Sequence, residues 1–289
     1  MRKILLGVSM FVCVFACKNP KSNIDSFRSI SAMVDSARSG QVDTLVAEPV
    51  EEVPKPIEAD ELFDDFIFYY ATDTAFQRQR TVFPLPYYKG DTPLKIEKKY
   101  WKHDPLFADQ TCYTLLFDNE EDMELVGDTS LTSVQVEWIY LKTRTMKRYY
   151  FERNKGVWML EAINLRKLED EHDDEHDDEQ DFASFYARFA VDSVYQREHI
   201  HEPLTFVTVD PDDEFSILET TLDIDQWYVF RPALPADRLS NIDYGQKNDD
   251  HSSNKILKVN GMSNGYSTVF YFRRRGGEWE LYKYEDTGI

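Results

Sequence analysis

Positive charge is scarce in this sequence. Its 289 residues include 33 lysines and arginines against 53 aspartates and glutamates, which gives a net charge of −20 at neutral pH. A field of that sign repels nucleic acid and anionic lipid head groups. The imbalance therefore argues against DNA or RNA as a partner, and it favours a chain that stays in solution beside a membrane.

Long hydrophobic runs are also missing. The N-terminal apolar run, Ile4 to Ala16, follows Arg2 and Lys3, and it is shorter than the about twenty residues that a membrane-spanning helix needs. A basic start and a short apolar core predict a signal peptide over residues 1–16. Its end resembles the bacterial lipobox, so we predict lipidation at Cys17. An ordinary secretory signal is the alternative.

Cysteine is the third scarce residue, with only Cys13, Cys17 and Cys112 in the chain. If Cys13 leaves with the signal peptide and Cys17 carries the lipid, Cys112 has no partner for an internal disulfide. Cys112 lies in the strand-like run 111–117, and a buried cysteine usually behaves as a small apolar side chain. We therefore interpret it as packing rather than as a reactive thiol.

Familiar catalytic motifs are absent as well. The sequence contains no nucleophile elbow, phosphate loop, dinucleotide fingerprint or zinc-protease helix. We therefore predict no cofactor, and the motifs point to no enzyme class.

What the sequence does contain is an internal repeat. Residues 66–85 align without a gap to residues 185–204 at an offset of 119, with seven identities in twenty positions, where chance gives about one. Residues 149–160 align in the same way to residues 270–281 at an offset of 121. Since both the start and the end of the unit recur, we predict a duplicated domain of about a hundred residues.

Composition divides the chain into five parts. After the signal peptide, residues 17–60 are polar, acidic and rich in proline, which is typical of a tether. The two repeat copies occupy residues 61–165 and 181–289, and the acidic stretch 166–180 links them. Each copy begins with helical spacing and ends with an aromatic hairpin, so we predict an α+β fold for both.

The motif shared by the copies carries a resemblance. The pattern F-x(6)-D-x-x-[FY]-Q, followed by Pro-Leu and a terminal aromatic hairpin, resembles a Bacteroidetes family of uncharacterised lipoproteins. That family has a domain of unknown function in the nuclear-transport-factor-two-like, cystatin-like class. The resemblance implies two tandem cones, in each of which a helix packs on a curved antiparallel sheet and can leave a pocket. It implies no activity, although some relatives in the wider superfamily use an Asp–His or Tyr–Asp pair inside the cone.

Polar residues that recur in both copies are the candidate ligand site. They are Asp73, Gln77 and Arg78, with their counterparts Asp192, Gln196 and Arg197. Asp and Gln four residues apart share a helix face, and Arg can bind a carboxylate through two hydrogen bonds. The alternative is structural: each Asp caps a helix, and the other two satisfy local groups. We favour the structural interpretation, because two diverged copies that share a folding requirement would keep these residues.

Histidines supply the remaining candidates. His172 and His176 lie four apart among linker carboxylates and could bind a divalent metal, but the pattern is more typical of a solvated acidic linker, so we predict no metal site. His199 and His201 follow Asp192 in the second copy only. These three residues are weak candidates for acid–base chemistry, since no partner is evident from the sequence.

We therefore expect a lipid-anchored protein of the cell envelope, in the outer membrane. Its paired cones would bind a small ligand, glycan, peptide or partner protein without catalysis. The competing hypothesis is a hydrolase or isomerase with a single pocket in the second copy, using Asp192, His199 or His201. A carboxylate and a histidine within hydrogen-bonding reach in that pocket would favour the enzyme, and filled cores would favour the binding protein.

Overall fold

The computed structural model describes residues 53–168, 181–246, 252–262 and 264–288. The predicted signal peptide 1–16, the lipidation site Cys17, most of the tether, and the linker residues His172 and His176 lie outside these ranges. Within them, no helix combines the length and the apolar character that crossing a membrane requires. The described part contains five α-helices and twelve strands.

Each half of the chain has the same order of elements. The first half consists of α1 (Phe63–Thr72), α2 (Thr74–Gln79), β1 (Leu85–Lys89), β2 (Thr92–Ile96), β3 (Cys112–Phe117), β4 (Ser133–Tyr140), β5 (Thr145–Asn154) and β6 (Val157–Lys167). The second half consists of α3 (Phe182–Phe189), α4 (Ser193–Glu198), β7 (Ile200–Asp210), β8 (Asp213–Leu222), α5 (Ile224–Phe230), β9 (Arg238–Asp243), β10 (Asn254–Gly261), β11 (Ser267–Arg275) and β12 (Glu278–Asp286). Helix α5 has no α-helical counterpart in the first half.

The long helix of each half is held by one apolar face. In α1 the buried positions recur at helical spacing, and α3 repeats the pattern at an offset of 119. The buried residues are Phe63, Phe66, Ile67, Tyr70 and Ala71 in α1, and Phe182, Phe185, Tyr186 and Phe189 in α3. Their rings pack edge-on against Phe151 and Phe272 of the two sheets. This burial, rather than helix propensity, stabilises such short helices.

The strands form two six-stranded sheets. The first has the order β2-β1-β6-β5-β4-β9, and the second has the order β8-β7-β12-β11-β10-β3. Neighbouring strands are antiparallel except for β1 with β6 and β7 with β12, which are parallel. A helix packed on each of two such sheets confirms the predicted α+β class of two tandem cones.

The two halves exchange one strand. Strand β3 of the first half pairs with β10 of the second, and β9 of the second half pairs with β4 of the first. Because the two sheet orders correspond strand by strand, β3 and β9 are equivalent strands that have changed places. The domain boundaries at 61–165 and 181–289 stay a prediction, but neither segment alone contains all the strands of its own sheet.

A pair of hydroxyl residues marks the point where the exchanged strands meet. Ser240 is the cross-strand partner of Trp138, and Thr114 is the cross-strand partner of Val259. The repeat offset of 121 relates Trp138 to Val259. Thr114 and Ser240 therefore occupy equivalent positions in the two sheets. The N–H of Thr114 donates to Ser240 Oγ at 2.7 Å, and Thr114 Oγ1 donates to the Ser240 carbonyl at 2.5 Å. These bonds satisfy the outer edge of β3 where it would otherwise be unpaired.

The Thr114–Ser240 hydrogen bonds, which we call the seam, predict the effect of Ser240→Ala. The substitution leaves the buried N–H of Thr114 without an acceptor, so we expect the free energy of unfolding to fall by about 1–3 kcal/mol. Urea denaturation of the full chain measures it. Exposed Ser193→Ala is the control and should change stability by less than about 0.5 kcal/mol. Equal midpoints for the two variants would contradict the role of the seam.

Candidate functional site

The repeated aspartates are helix caps. Asp73 Oδ1 accepts the N–H groups two and three residues further on, at 2.8 and 2.9 Å, at the start of α2. Asp192 accepts the corresponding two N–H groups of α4 at 3.0 Å. Each carboxylate therefore satisfies donors that a helix leaves free at its first turn. This is the structural alternative that the sequence favoured.

The repeated glutamines are buried and hydrogen-bond to the backbone of other segments, an arrangement that we call a clamp. Gln77 is 0% exposed; its Nε2 donates to the Tyr70 carbonyl at 2.9 Å and to the Asp104 carbonyl at 2.7 Å. Its Oε1 accepts the Asp104 N–H at 2.9 Å. Gln196 repeats the first of these bonds, to the Phe189 carbonyl at 2.5 Å. In the first half, the clamp fixes the backbone of Asp104 and thereby places its carboxylate.

The repeated arginines lie at the surface. Arg78 is exposed on α2, and Arg197 lies 3.0 Å from Asp225 with 57% and 87% of the two side chains exposed. An ion pair in that setting contributes little to stability. In each predicted triad, the Asp caps a helix, the Gln is buried and the Arg lies at the surface. Their role in ligand binding stays a prediction.

The candidate acid–base residues of the second half lie apart from one another. His199 Nδ1 is 2.8 Å from the Tyr195 carbonyl, and the two rings lie 3.7 Å apart between centroids. His201 Nδ1 is 3.7 Å from Glu280. Between the described residues, no hydrogen bond or ion pair joins either histidine to Asp192, which caps α4. The grouping that would favour the enzyme hypothesis is not assembled there.

The second cone is filled with rings. A row of three side chains crosses β7, β12 and β11, namely Phe206, Tyr284 and Phe270. Centroid distances from Tyr284 are 5.3 Å to Phe206, 5.2 Å to Phe270 and 5.6 Å to Trp227 of α5. Trp227, Tyr284 and Phe270 are each 0% exposed. The interior of this half is therefore a packed core at this level.

The equivalent row of the first cone carries hydroxyl groups instead. Tyr87, Ile163 and Tyr149 cross β1, β6 and β5 in the same register. The repeat offsets place Tyr87 where the second half has Phe206, and Tyr149 where it has Phe270. Ile163 replaces the large ring of Tyr284, so the centre of the first row is occupied by a smaller side chain.

Asp104, Lys147 and Tyr149 form a polar cluster beside this row, which we call the first-cone cluster. Asp104 Oδ2 accepts from Lys147 Nζ at 2.9 Å and from the Tyr149 hydroxyl at 2.5 Å. The ammonium also lies 4.6 Å from the centroid of the Tyr149 ring. About a quarter of the Asp104 and Lys147 side chains is exposed, at 27% and 24%. Solvent can therefore reach the carboxylate and the ammonium, while the Tyr149 side chain is buried at 1% exposure.

The pKa shifts in this cluster have opposite directions. Burial raises the pKa of the Asp104 carboxyl, but the Lys147 ammonium and the hydrogen bonds from Tyr149, Lys147 and Leu106 outweigh burial and hold it below 3.8. Burial and the adjacent Asp104 carboxylate raise the pKa of the Tyr149 hydroxyl well above its usual range. Asp104 is thus a carboxylate at neutral pH, and Tyr149 is a neutral donor.

Comparison of the two halves shows that the fold does not require these polar groups. Four positions around the first cone are polar, and their counterparts in the second half lack the charge or the phenolic hydroxyl. The pairs are Tyr70/Phe189, Tyr87/Phe206, Tyr149/Phe270 and Lys147/Thr268. Since the same architecture accepts phenylalanine at three of these sites, the first-cone cluster is the candidate functional site.

A groove of about 600 Å³ opens at the strand-exchange seam. It is lined by Gln110 to Thr114, Trp138, Tyr140, Ala233 to Arg238, and Ser240. Trp138 connects the groove to the first cone, because it lines the groove and is the cross-strand partner of Lys147. The groove therefore draws side chains from both halves and borders the first-cone cluster.

A metal site is not evident in the described ranges. They contain no group of three histidine, cysteine or carboxylate side chains that could hold an ion. His172 and His176, the weak candidates from the sequence, lie outside those ranges. Cys112, at the start of β3, is half-buried and lines the seam groove.

The sequence analysis did not identify Asp104, Lys147 or Tyr149. It searched for residues that the copies share, whereas the first-cone cluster consists of residues in which they differ. The tyrosines of the first copy that align with phenylalanines of the second copy could have identified the cluster. Asp104 gave no such signal, because its loop has no aligned counterpart in the repeat.

Comparison with known proteins identifies a family and a similar solved structure. The family model described as "Domain of unknown function (DUF4348)" matches residues 42–286. The chain is also similar to a crystal structure of an NTF2-like protein from Bacteroides fragilis, with 64% identity and a TM-score of 0.77, over 82% of this chain and 100% of that one. No curated protein matches the chain. One family model spans both repeat copies, so the pair of cones is the unit that recurs.

The caps predict a destabilising effect of Asp73→Ala. Two N–H groups of α2 lose their acceptor, so we expect the free energy of unfolding to fall by about 0.5–2 kcal/mol. Thermal or urea unfolding of the full chain measures the change. Asp192→Ala is the matched variant in α4 and should give a change of similar size. A cap variant with unchanged stability would contradict the structural role.

Asp104 predicts a specific acid dependence of stability. Because its pKa is lower in the folded state, its contribution is present above the unfolded value of 3.8 and is lost as the pH falls through the folded value. Asp104→Asn should remove this part of the acid sensitivity. Urea unfolding from about pH 6 to about pH 3 measures it. Parallel pH curves for the variant and the wild type would contradict the assignment.

Proposed function

This chain belongs to the DUF4348 family, and from that premise we propose that it is a lipid-anchored envelope protein that binds a ligand in its first cone and catalyses no reaction. The observation that carries the proposal is the difference between two equivalent cones. One is filled by Trp227, Tyr284 and Phe270, and the other keeps a carboxylate, an ammonium and hydroxyl groups at the same level. Because the duplicated fold forms with either set of side chains, the polar set of the first cone is available to bind a ligand.

Protonation favours binding over proton transfer in the first-cone cluster. A general acid or base works best when its pKa lies near the working pH. Here the pKa of Asp104 is lowered and that of Tyr149 is raised, so both shifts lead away from neutrality. The pair is suited to accept and donate hydrogen bonds in a fixed geometry, and it is a weak base and a weak acid.

The enzyme hypothesis has less support in the described residues. It required a pocket in the second half with a carboxylate and a histidine within hydrogen-bonding reach, involving Asp192, His199 or His201. Asp192 instead caps α4, His199 stacks on Tyr195, and the interior of the second cone is filled by rings. A hydrolase or isomerase of this design would need those side chains to rearrange, so the binding protein is the simpler reading of the geometry.

The envelope part of the proposal depends on the N-terminal sequence. Residues 1–16 have the charge and apolar pattern of a signal peptide, Cys17 ends a lipobox-like segment, and the tether runs to residue 60. A lipid on Cys17 would hold the cones at the surface of the outer membrane. The net charge of −20 would keep the folded part from lying on anionic head groups.

Cys17→Ser tests the anchor. Without the lipid, the segment after residue 17 offers no long apolar stretch to bind a bilayer, so we expect the variant to move from the membrane fraction to the soluble fraction. Cell fractionation with detection of the chain measures it. Cys112→Ser is the matched control and should stay with the membranes. A Cys17→Ser variant that still sediments with membranes would disprove the lipid anchor.

Ligand binding in the first cone is tested by screening. Small metabolites, oligosaccharides and short peptides are added to the chain, and shifts in its unfolding temperature are recorded. We expect any stabilising compound to lose its effect on Lys147→Met, which removes the ammonium and keeps most of the side-chain length. Phe270→Tyr in the second cone should retain the effect. Turnover of a compound, or a shift that Lys147→Met leaves unchanged, would overturn the proposal.

A further inference from the structure

We propose that the first cone and the seam groove together bind a neutral oligosaccharide of two or three sugar units. This inference rests on the proposed function, and it adds the chemical class of the ligand. Four features carry it: the balanced charge of the first-cone cluster, the mixture of donors and acceptors, the half-buried tyrosine rings, and the size of the groove, which Trp138 lines beside Lys147.

The charge of the first-cone cluster is balanced. The Asp104 carboxylate and the Lys147 ammonium lie 2.9 Å apart and neutralise each other. A cationic ligand would compete with Lys147, which already occupies the position near the face of the Tyr149 ring. An anionic ligand would meet the Asp104 carboxylate and the negative field of the whole chain. The site is therefore matched to a ligand without net charge.

The first-cone cluster places hydrogen-bond donors next to acceptors, which is the arrangement that sugar hydroxyls require. Each hydroxyl of a sugar both donates and accepts, so it binds where an acceptor lies next to a donor. Lys147 Nζ has three protons, of which one is directed at Asp104. Asp104 Oδ1 accepts from the Leu106 N–H at 3.1 Å and has a further lone pair. An ammonium beside a carboxylate thus offers both roles to adjacent hydroxyl groups.

Two tyrosine rings provide apolar surface beside these polar groups. Tyr87 and Tyr140 are half-buried, and between the described residues neither ring stacks on another aromatic ring. Both pack against the core of the first cone. Leu94, paired with Tyr87 across β1 and β2, is 48% exposed. The C–H face of a sugar ring packs on such aromatic surface while its hydroxyls reach the polar groups.

The size of the groove sets the length of the ligand. At about 600 Å³ it lies within the usual range of small-molecule sites. It continues from Tyr140 to Arg238 and Ser240 of the second half. One sugar at Asp104 would leave this groove empty, so two or three units fit the combined site. The ligand would then contact both halves of the chain.

The experiment is calorimetric titration of the full chain carrying Cys17→Ser. The probes are neutral trisaccharides built from glucose, mannose, galactose, xylose or N-acetylglucosamine, with a trimer of glucuronic acid and an uncharged tripeptide for comparison. We expect at least one neutral trisaccharide to bind. Tyr140→Ala and Lys147→Met should each weaken it by about tenfold or more. Phe206→Tyr, at the equivalent position of the second cone, should bind as the parent does.

Two results would overturn the inference in different ways. Binding of only the glucuronic acid trimer or the tripeptide, lost in Lys147→Met, would refute the saccharide while the ligand-binding function of the first cone stands. No binding by any neutral trisaccharide, or binding that neither substitution weakens, would also refute the saccharide. If the screen by unfolding temperature is negative as well, the proposed function fails with it. Far-ultraviolet circular dichroism of each variant verifies that it has folded.

Discussion

The exchange of β3 and β9 is the constraint on which the rest of the structure depends. Each sheet receives its last strand from the other half, and the Thr114–Ser240 hydrogen bonds satisfy the edges where the strands meet. The cores are shared as a result. Ile242 and Tyr244 of the second half belong to the first core, while Ile139 and Met146 of the first half belong to the second. Neither core is complete without residues from both halves.

Within that shared frame, the two cones have diverged in chemistry and kept their architecture. The capping aspartates and the buried glutamines recur, because both halves must turn from a long helix into a short one. The positions facing the cone interior had no such requirement. In one half they hold a packed set of rings around Tyr284, and in the other they hold the Asp104–Tyr149 hydrogen bond. The duplication thus separates the residues that both halves keep for folding from the residues that differ between the two cones.

The sequence predicted features whose causes are local. The helices, the caps at Asp73 and Asp192 and the terminal hairpins depend on spacing and on residues within a few positions of one another. The strand exchange could not be predicted, because the strand-like run 111–117 is the same whichever sheet accepts the strand. The Asp104–Tyr149 pair also could not be predicted from the sequence. Its members are 45 residues apart, and only the register of β5 and the Gln77 clamp bring them together.

The interlocked sheets also bear on how such a protein can change over evolutionary time. Two tandem copies with separate sheets could be parted without exposing a strand edge in either one. Here, removal of the filled half would take β9 from the first sheet and expose an unpaired strand edge along β4. Loss of the first half would likewise take β3 from the second sheet, so each copy is a structural requirement of the other.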